Sequence, residues 1–384
     1  VDTDRLVSAL RQVINRHPYI KSRLKQNENG EIVIVDCCHE EAVVEKQTAV
    51  SREEVLERIG KAFDLLNDRL YRLVIYTLPD GTRMLNIDFH HIVCDGMSTR
   101  NFHEEVSQAY AGNPLPAAEH YGFEDAESTI RQRAGSDYEE AKQWYAQTFG
   151  GGAEVDSMPL PDIQCTPMNA QWVTEFVPIE VNAKDLEDIC TQAEVGISIP
   201  FTAALGYTLA NYNAADSALF ATIWHGRADK EHLTAIGMFV KTLPVYMRFD
   251  TSDTTALLQT LKQQLHDARA NSIYSFAEVC SDLDIHPQVC FAYHANLHMY
   301  HLVLNGKEQQ DEFVRHHRPG LELIINLIKK TLSPTLSLKG QGSHNINNLV
   351  DNAKAFDADG AAVALKDWKE EWDPQPEFAK LPHW

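Results

Sequence analysis

The chain has 384 residues, of which 44% are hydrophobic and 23% charged, enough for two lobes that each bury their own apolar core. Its 34 basic side chains against 55 acidic ones give a formal charge of −21, which argues against nucleic acid or an anionic membrane as partner, since either requires clustered Lys and Arg. No stretch approaches the length of a membrane span.

The opening residues Val1-Asp2-Thr3-Asp4-Arg5 show neither an initiator Met nor a signal-peptide pattern, and read as the start of a piece taken from something longer. Leu6, Ala9, Leu10, Val13 and Ile14 fall on one face of a predicted helix. Ile32 to Val35 is a short apolar strand. Ser51-Arg52-Glu53-Glu54 reads as a capping box, with Val55, Ile59 and Phe63 on one face of the helix that follows. Leu70 to Leu78 and Arg83 to His90 are predicted strands, and Pro79-Asp80-Gly81 between them signals a hairpin. Residues 98–110 read as a helix with Phe102, Val106 and Tyr110 four apart.

Gly150-Gly151-Gly152 with Pro159, Pro161 and Pro167 marks residues 150–170 as a linker between lobes. The expected division is therefore 1–160 and 161–384. In the second half, a strand is predicted over Gln171 to Ile179. Asn182 caps a helix carrying Leu186, Ile189 and Ala193, and Ser198 with Pro200 opens another that runs through Tyr212. Strands are predicted at Ala218 to Trp224, Val240 to Arg248, Val289 to His294 and Leu321 to Ile328, and a long helix from Thr254 to Ala270.

Seven cysteines without a CxxC pair read as reduced thiols of a cytoplasmic protein. Cys94 reads as a packed small residue. His294, His298 and His301 have the spacing of a helix face, but Cys290 to Tyr293 reads as strand, so no metal site is assigned. Trp224 and Tyr293 are expected either as core aromatics or as residues lining a pocket.

One segment concentrates chemistry: Asn86-Ile87-Asp88-Phe89-His90-His91-Ile92-Val93-Cys94-Asp95-Gly96-Met97-Ser98. Strand alternation puts Leu85, Ile87, Phe89 and His91 on one face and Asn86, Asp88 and His90 on the other. The apolar company of the first face points His91 inward, at the end of a strand. Partial desolvation there favours a neutral imidazole, which near pH 7 can accept a proton from an amine or hydroxyl. Gly96 is expected to permit a bend or a close approach. The N–H groups of the helix that follows offer stabilisation to an oxyanion. Adjacent histidines on a strand point to opposite faces and make a poor metal site.

These residues, His90-His91-Ile92-Val93-Cys94-Asp95-Gly96, resemble the HHxxxDG signature of the condensation domains of nonribosomal peptide synthetases, within the chloramphenicol acetyltransferase-like superfamily. Arg16-His17-Pro18-Tyr19-Ile20-Lys21-Ser22-Arg23-Leu24 is similar to the family's RHxxLRxxF. Phe63-Asp64-Leu65 with Leu70-Tyr71-Arg72 is similar to FDLxxxPLxR. Gly226-Arg227 with Ile236 to Pro244 is similar to GR…GMFVNTLP. The resemblance runs to about residue 295. Lys241 stands where the family has Asn, Lys21 where it has Arg, and Arg69 where it has Pro, which leaves substrate preference open.

The resemblance implies an α/β fold of two αβα sandwich lobes in a V, with His91 midway along a tunnel. Met97, Ser98, Trp224 and Tyr293 are expected to line that tunnel. It implies amide formation between a donor acyl thioester and an acceptor amine, each on the phosphopantetheine arm of a carrier protein, beside adenylation or other synthetase domains. No cofactor is expected to bind this chain itself. His91 is expected to act as base or to position the amine, with His90, Asp95 and Gly96 completing the motif. Asp95, at a bend in the interior, requires a cation; Arg227 is the first choice, ahead of Arg23 and Lys21. An epimerization domain, a silent docking member of the family and a stand-alone acyltransferase using an alcohol or amine acceptor are the alternatives.

Overall fold

The computed structural model describes residues 1–59, 61–149, 172–178, 181–227, 232–250, 253–285, 287, 289–294, 302–309, 321–327 and 334–341. These form a mixed α/β fold in two compact units. The first comprises Val1–Ile130, His225–Val240 and Met299–His316; the second comprises the remaining segments, Arg131–Trp224, Lys241–His298 and His317–Trp384. A single division near residue 160 is therefore not what the chain shows: it crosses between units five times, first after Ile130. The Gly/Pro-rich segment expected as a linker lies outside the described residues.

In the first unit, helix α1 (Thr3–Arg16) starts where the Asp2 carboxylate accepts the N–H groups of Asp4 and Arg5, satisfying donors that a helix start leaves open. Its predicted face is buried throughout. Strands β1 (Arg23–Gln26) and β2 (Ile32–Val35) pair as an antiparallel hairpin. Strand β3 (Glu45–Thr48), helix α2 (Arg52–Arg58), and strands β4 (Tyr71–Thr77) and β5 (Arg83–Phe89) follow. β4 is central in a three-stranded sheet, parallel to β3 and antiparallel to β5. The tight turn between β4 and β5 places Gly81 at φ +84°, a region that favours glycine. Helix α2 is capped by Ser51 but ends at Arg58, so Phe63, expected on its face, lies in the loop beyond.

Helices α3 (Gly96–Ala111) and α4 (Tyr121–Arg133) come next. Leu10, Val13 and Ile14 of α1 pack with Leu73 of β4 and Phe102 and Val106 of α3, joined by Ile236, Leu302 and Leu304 from the two later segments. Each such side chain contributes about 1.5–3 kcal/mol by leaving water. The first unit's core is thus completed by residues more than a hundred positions downstream.

The second unit holds α5 (Ser136–Phe149), β6 (Trp172–Pro178), α6 (Ala183–Ala193), α7 (Ser198–Tyr212), β7 (Ser217–Trp224), β8 (Lys241–Arg248), α8 (Thr254–Ala270), α9 (Phe276–Leu283) and β9 (Val289–His294). The two-residue strands β10 (Val303–Leu304) and β11 (Lys307–Glu308) belong to the first unit, and β12 (Leu321–Leu327) and β13 (Pro334–Gln341) to the second. Its six-stranded sheet has the order β6-β13-β12-β9-β7-β8, with β9 parallel to both β7 and β12. Helix α7 is buried over most of its length, and Leu257, Leu258, Leu261 and Leu265 of α8 pack with Phe220, Val245 and Phe291. Among the described residues, no helix is long and apolar enough to cross a membrane.

Candidate active site

The site grows from the end of β5. Leu85, Ile87 and Phe89 rest against the first core, and the Phe89 ring meets Phe102 edge-on, at 4.9 Å. Pairing stops at Phe89, where the chain turns. His90 donates its backbone N–H to Leu70 O at 2.8 Å and accepts from Val93 N at 3.1 Å, while its Nδ1 accepts from Ile92 N at 3.1 Å. Val93 and Cys94 then sink into a small cluster with Tyr19, Leu24 and Leu70.

His91 is exposed, at the first position of this turn. The expected inward position on a strand is overturned: β5 ends two residues earlier, and alternation does not carry through a turn. His91 therefore faces outward at the turn rather than packing into the protein. Cys94 is buried, and burial pushes its thiol up to about 12, so it remains protonated and inert as a nucleophile.

Asp95 caps helix α3 and is 1% exposed. Its Oδ1 accepts from Ser98 N, Ser98 Oγ and Arg227 Nη2, each at 2.9 Å, and its Oδ2 accepts from Arg227 Nη1 at 2.7 Å and Phe239 N at 3.1 Å. Arg227 thus forks onto the carboxylate with both terminal nitrogens, the geometry in which Arg binds most strongly. Its Nε donates to His232 O at 3.0 Å, and its guanidinium lies 4.6 Å from the centre of the Phe239 ring. Lys21 and Arg23 are engaged elsewhere: Lys21 Nζ donates to Asn15 Oδ1 and to the Cys38 and Glu40 carbonyls, and Arg23 pairs with Glu40 at 2.6 Å.

Two further expectations change. Gly96 does not have a positive φ, and a Cβ built on it would meet nothing within 4 Å; neither a left-handed backbone nor a protein neighbour requires glycine there. The Ser98 N–H is taken by Asp95, and the carboxylate places negative charge at the helix start, so this N–H is not offered to an oxyanion. The glycine that geometry does demand is Gly226. It has φ +69°, and a Cβ there would sit 1.8 Å from Phe239 O.

Of the four residues expected to line a tunnel, Ser98 is fully buried and committed to Asp95, Arg227 and Gly237, so it faces no passage. Met97 is half-buried in the first turn of α3 and Trp224 half-buried at the end of β7. Tyr293 stacks on Phe201 within the second core, and burial pushes its hydroxyl up to about 12. Lys241 opens β8, opposite Trp224 in register. His298 and His301 lie outside the described residues. Among the described residues, no group of three or more His, Cys, Asp or Glu could hold a metal.

Segment 232–239 is gripped at several points. Asn101 Nδ2 donates to the carbonyls of Leu233 and Ala235; Asp95 N and Ser98 Oγ donate to Gly237 O; Gly237 N donates to Ser98 Oγ. Ile236 N donates to Glu119 at 3.4 Å. Behind it lies a buried charge cluster that the sequence did not announce. His17, 0% exposed, bridges Glu105 at 2.9 Å and Glu119 at 2.5 Å, and Arg16 pairs with Glu105 at 2.5 Å. Burial alone would depress the His17 imidazole, but the two carboxylates outweigh it and hold it above its usual range. Glu119 is held low by His17 against its own burial. Only the RH pair of the motif pointed here; its carboxylate partners lie 88 and 102 residues away.

The profile of a family described as Condensation domain matches residues 1–319. The chain belongs to the condensation-domain family. Tyrocidine synthase 3 of Brevibacillus parabrevis is 28% identical over 296 residues, covering 74% of this chain and 4% of that protein. Surfactin synthase subunit 1 of Bacillus subtilis (strain 168) is 24% identical, covering 74% and 8%. This condensation domain thus spans a small fraction of the synthetase relatives it matches. In fold it is similar to the condensation domain from Monacolin K polyketide synthase, with a TM-score of 0.72 and 16% identity, covering 94% of this chain and 90% of that one. The X-domain from teicoplanin biosynthesis scores 0.75 at 16% identity, covering 96% and 88%. The epimerization domain from the third module of tyrocidine synthetase B scores 0.65 at 16% identity, covering 96% and 90%.

Proposed function

We propose that this condensation domain joins a donor acyl thioester to an acceptor amine, each delivered on the phosphopantetheine arm of a carrier protein within a cytoplasmic multidomain synthetase. The observation that carries this reading is the presentation of His91: an exposed imidazole on a turn locked by His90 on one side and by the Asp95–Arg227 pair on the other. In the reaction the amine nitrogen attacks the thioester carbonyl, the C–N bond forms and the C–S bond breaks. The donor arm leaves as a thiol, and one proton must leave the nitrogen. His91 accepts that proton or holds the amine by a hydrogen bond. Holding two tethered reactants in line lowers the barrier further. Asp95 and Arg227 take no part in proton transfer; they fix the start of α3 and segment 232–239.

The test is to mix the domain with two loaded carrier proteins and to follow product mass and stereochemistry. Amide product on the acceptor arm, lost in His91→Ala, supports the reading. An inverted stereocentre without a new amide would assign epimerization instead. No product with any loaded pair would leave the docking role.

A further inference from the structure

Beside the His91 turn is an aromatic and cationic stack that the mechanism above does not use. The Phe63 ring meets the His90 ring edge-on, with centroids 5.6 Å apart at 87°. The guanidinium of Arg72 covers Phe63 at 3.8 Å from the ring centre, close enough for a cation–π attraction. Arg72 is on β4, directly opposite Asp88 of β5, to which it pairs at 3.5 Å, and it also pairs with Asp68 at 3.1 Å. Its two terminal nitrogens donate to the carbonyls of Lys61 and Ala62. The loop itself is tied by Asp64, which accepts from Leu66 N and Asn67 Nδ2, and by Asp68, which accepts from Asp64 N. One arginine therefore holds an otherwise exposed loop so that its Phe63 presses on His90.

The His90 ring is the hinge of the turn. Its Nδ1 accepts from Ile92 N, so that nitrogen carries no proton and the ring has one usable orientation. His91 lies between these two partners. Rotation of the His90 ring would strip Ile92 N–H of its acceptor and release the residue that carries the reactive imidazole. We propose that Phe63 and Arg72 are positioning residues for His91, acting through the ring of His90.

This inference rests on His91 being the reactive side chain. A merely structural role makes a different prediction, because the stack lies at the surface: Phe63 is half-buried and most of loop 61–69 is exposed, so the loop contributes little apolar burial to the unit as a whole. The variants are Phe63→Leu, which keeps an apolar side chain without a ring, Arg72→Lys, which keeps the charge for Asp68 and Asp88 without the planar fork, and Phe63→Tyr as the conservative control. Each is assayed for amide formation with two loaded carriers, for its melting midpoint, and by long-range ¹⁵N correlation spectra of the His90 and His91 rings.

The expected result for Phe63→Leu and Arg72→Lys is a fall in kcat on the order of tenfold, as for a misplaced catalytic group, with KM for the carriers and the melting midpoint nearly unchanged. The His90 Nδ1 resonance should move toward that of an unbonded nitrogen, and Phe63→Tyr should restore both readouts. Wild-type kcat and an unmoved His90 resonance in Phe63→Leu would overturn the proposal, as would a loss of kcat that only accompanies a loss of stability. Should the wild type form no amide, the reaction assigned above fails on its own, and the ring spectra alone decide the positioning claim.

Discussion

His91 and Asp95 stand four residues apart and meet opposite physical demands. An exposed imidazole contributes little to folding, so His91→Ala should abolish amide formation while stability stays within about 0.5 kcal/mol of wild type, read by urea unfolding. Asp95 is buried against the Arg227 fork, and deleting it leaves a buried guanidinium without its counter-charge. Asp95→Ala should cost about 3–5 kcal/mol and lower soluble yield along with activity; an inactive variant of wild-type stability would move Asp95 into the chemistry. The pairing of Asp95 with a cation could be argued from sequence because a charge at an interior bend has few alternatives. The direction of His91 could not, because alternation was extended past Phe89, whereas a hydrogen bond from Val93 N to His90 O turns the chain at His91 itself.

The end of α1, the middle of α3 and segment 232–239 meet at the His17 cluster, and their union depends on pH. His17 has a folded value above its ordinary 6.5. Its contribution is therefore complete below the unfolded value and is lost as pH rises through the folded one. Glu119 has a lowered folded value, so its contribution is present above the ordinary carboxylate range and is lost as pH falls through the folded value. His17→Gln should accordingly be most destabilised, relative to wild type, between these two limits, and the difference should shrink as pH rises through the raised folded value of His17 in urea titrations. Gly226→Ala should loosen the same segment by another route, since its Cβ has no room beside Phe239 O; faster amide exchange over 232–239, with α8 unaffected, is the expected reading. Helices α1 and α8 were legible because caps and apolar spacing agree in them. Helices α4 and α5 were not, because they bury few residues and leave only a weak periodic signal. β1 and β3 are short and polar, and are strands by pairing rather than by composition.

At the scale of the whole chain, the family and the mixed α/β fold could be read from four ordered motifs, but the division into units could not. Composition marks where a chain is loosely built, whereas unit membership is decided by which core a segment completes. Ile236, Leu302 and Leu304 complete the first core although they lie far along the chain. Residues 1–160 expressed alone should therefore remain aggregated or partly folded, with poor dispersion in amide spectra, whereas an independently folded, cooperative fragment would contradict this reading. Asp95 and Arg227, 132 residues apart, carry a consequence for inheritance. Neither residue can drift alone without stranding the other, so the two should co-vary across relatives as one heritable unit. A recombination breakpoint anywhere between them would part partners that had been matched in separate parents, and viable hybrids should be those whose exchanged blocks carry both halves of the pair together.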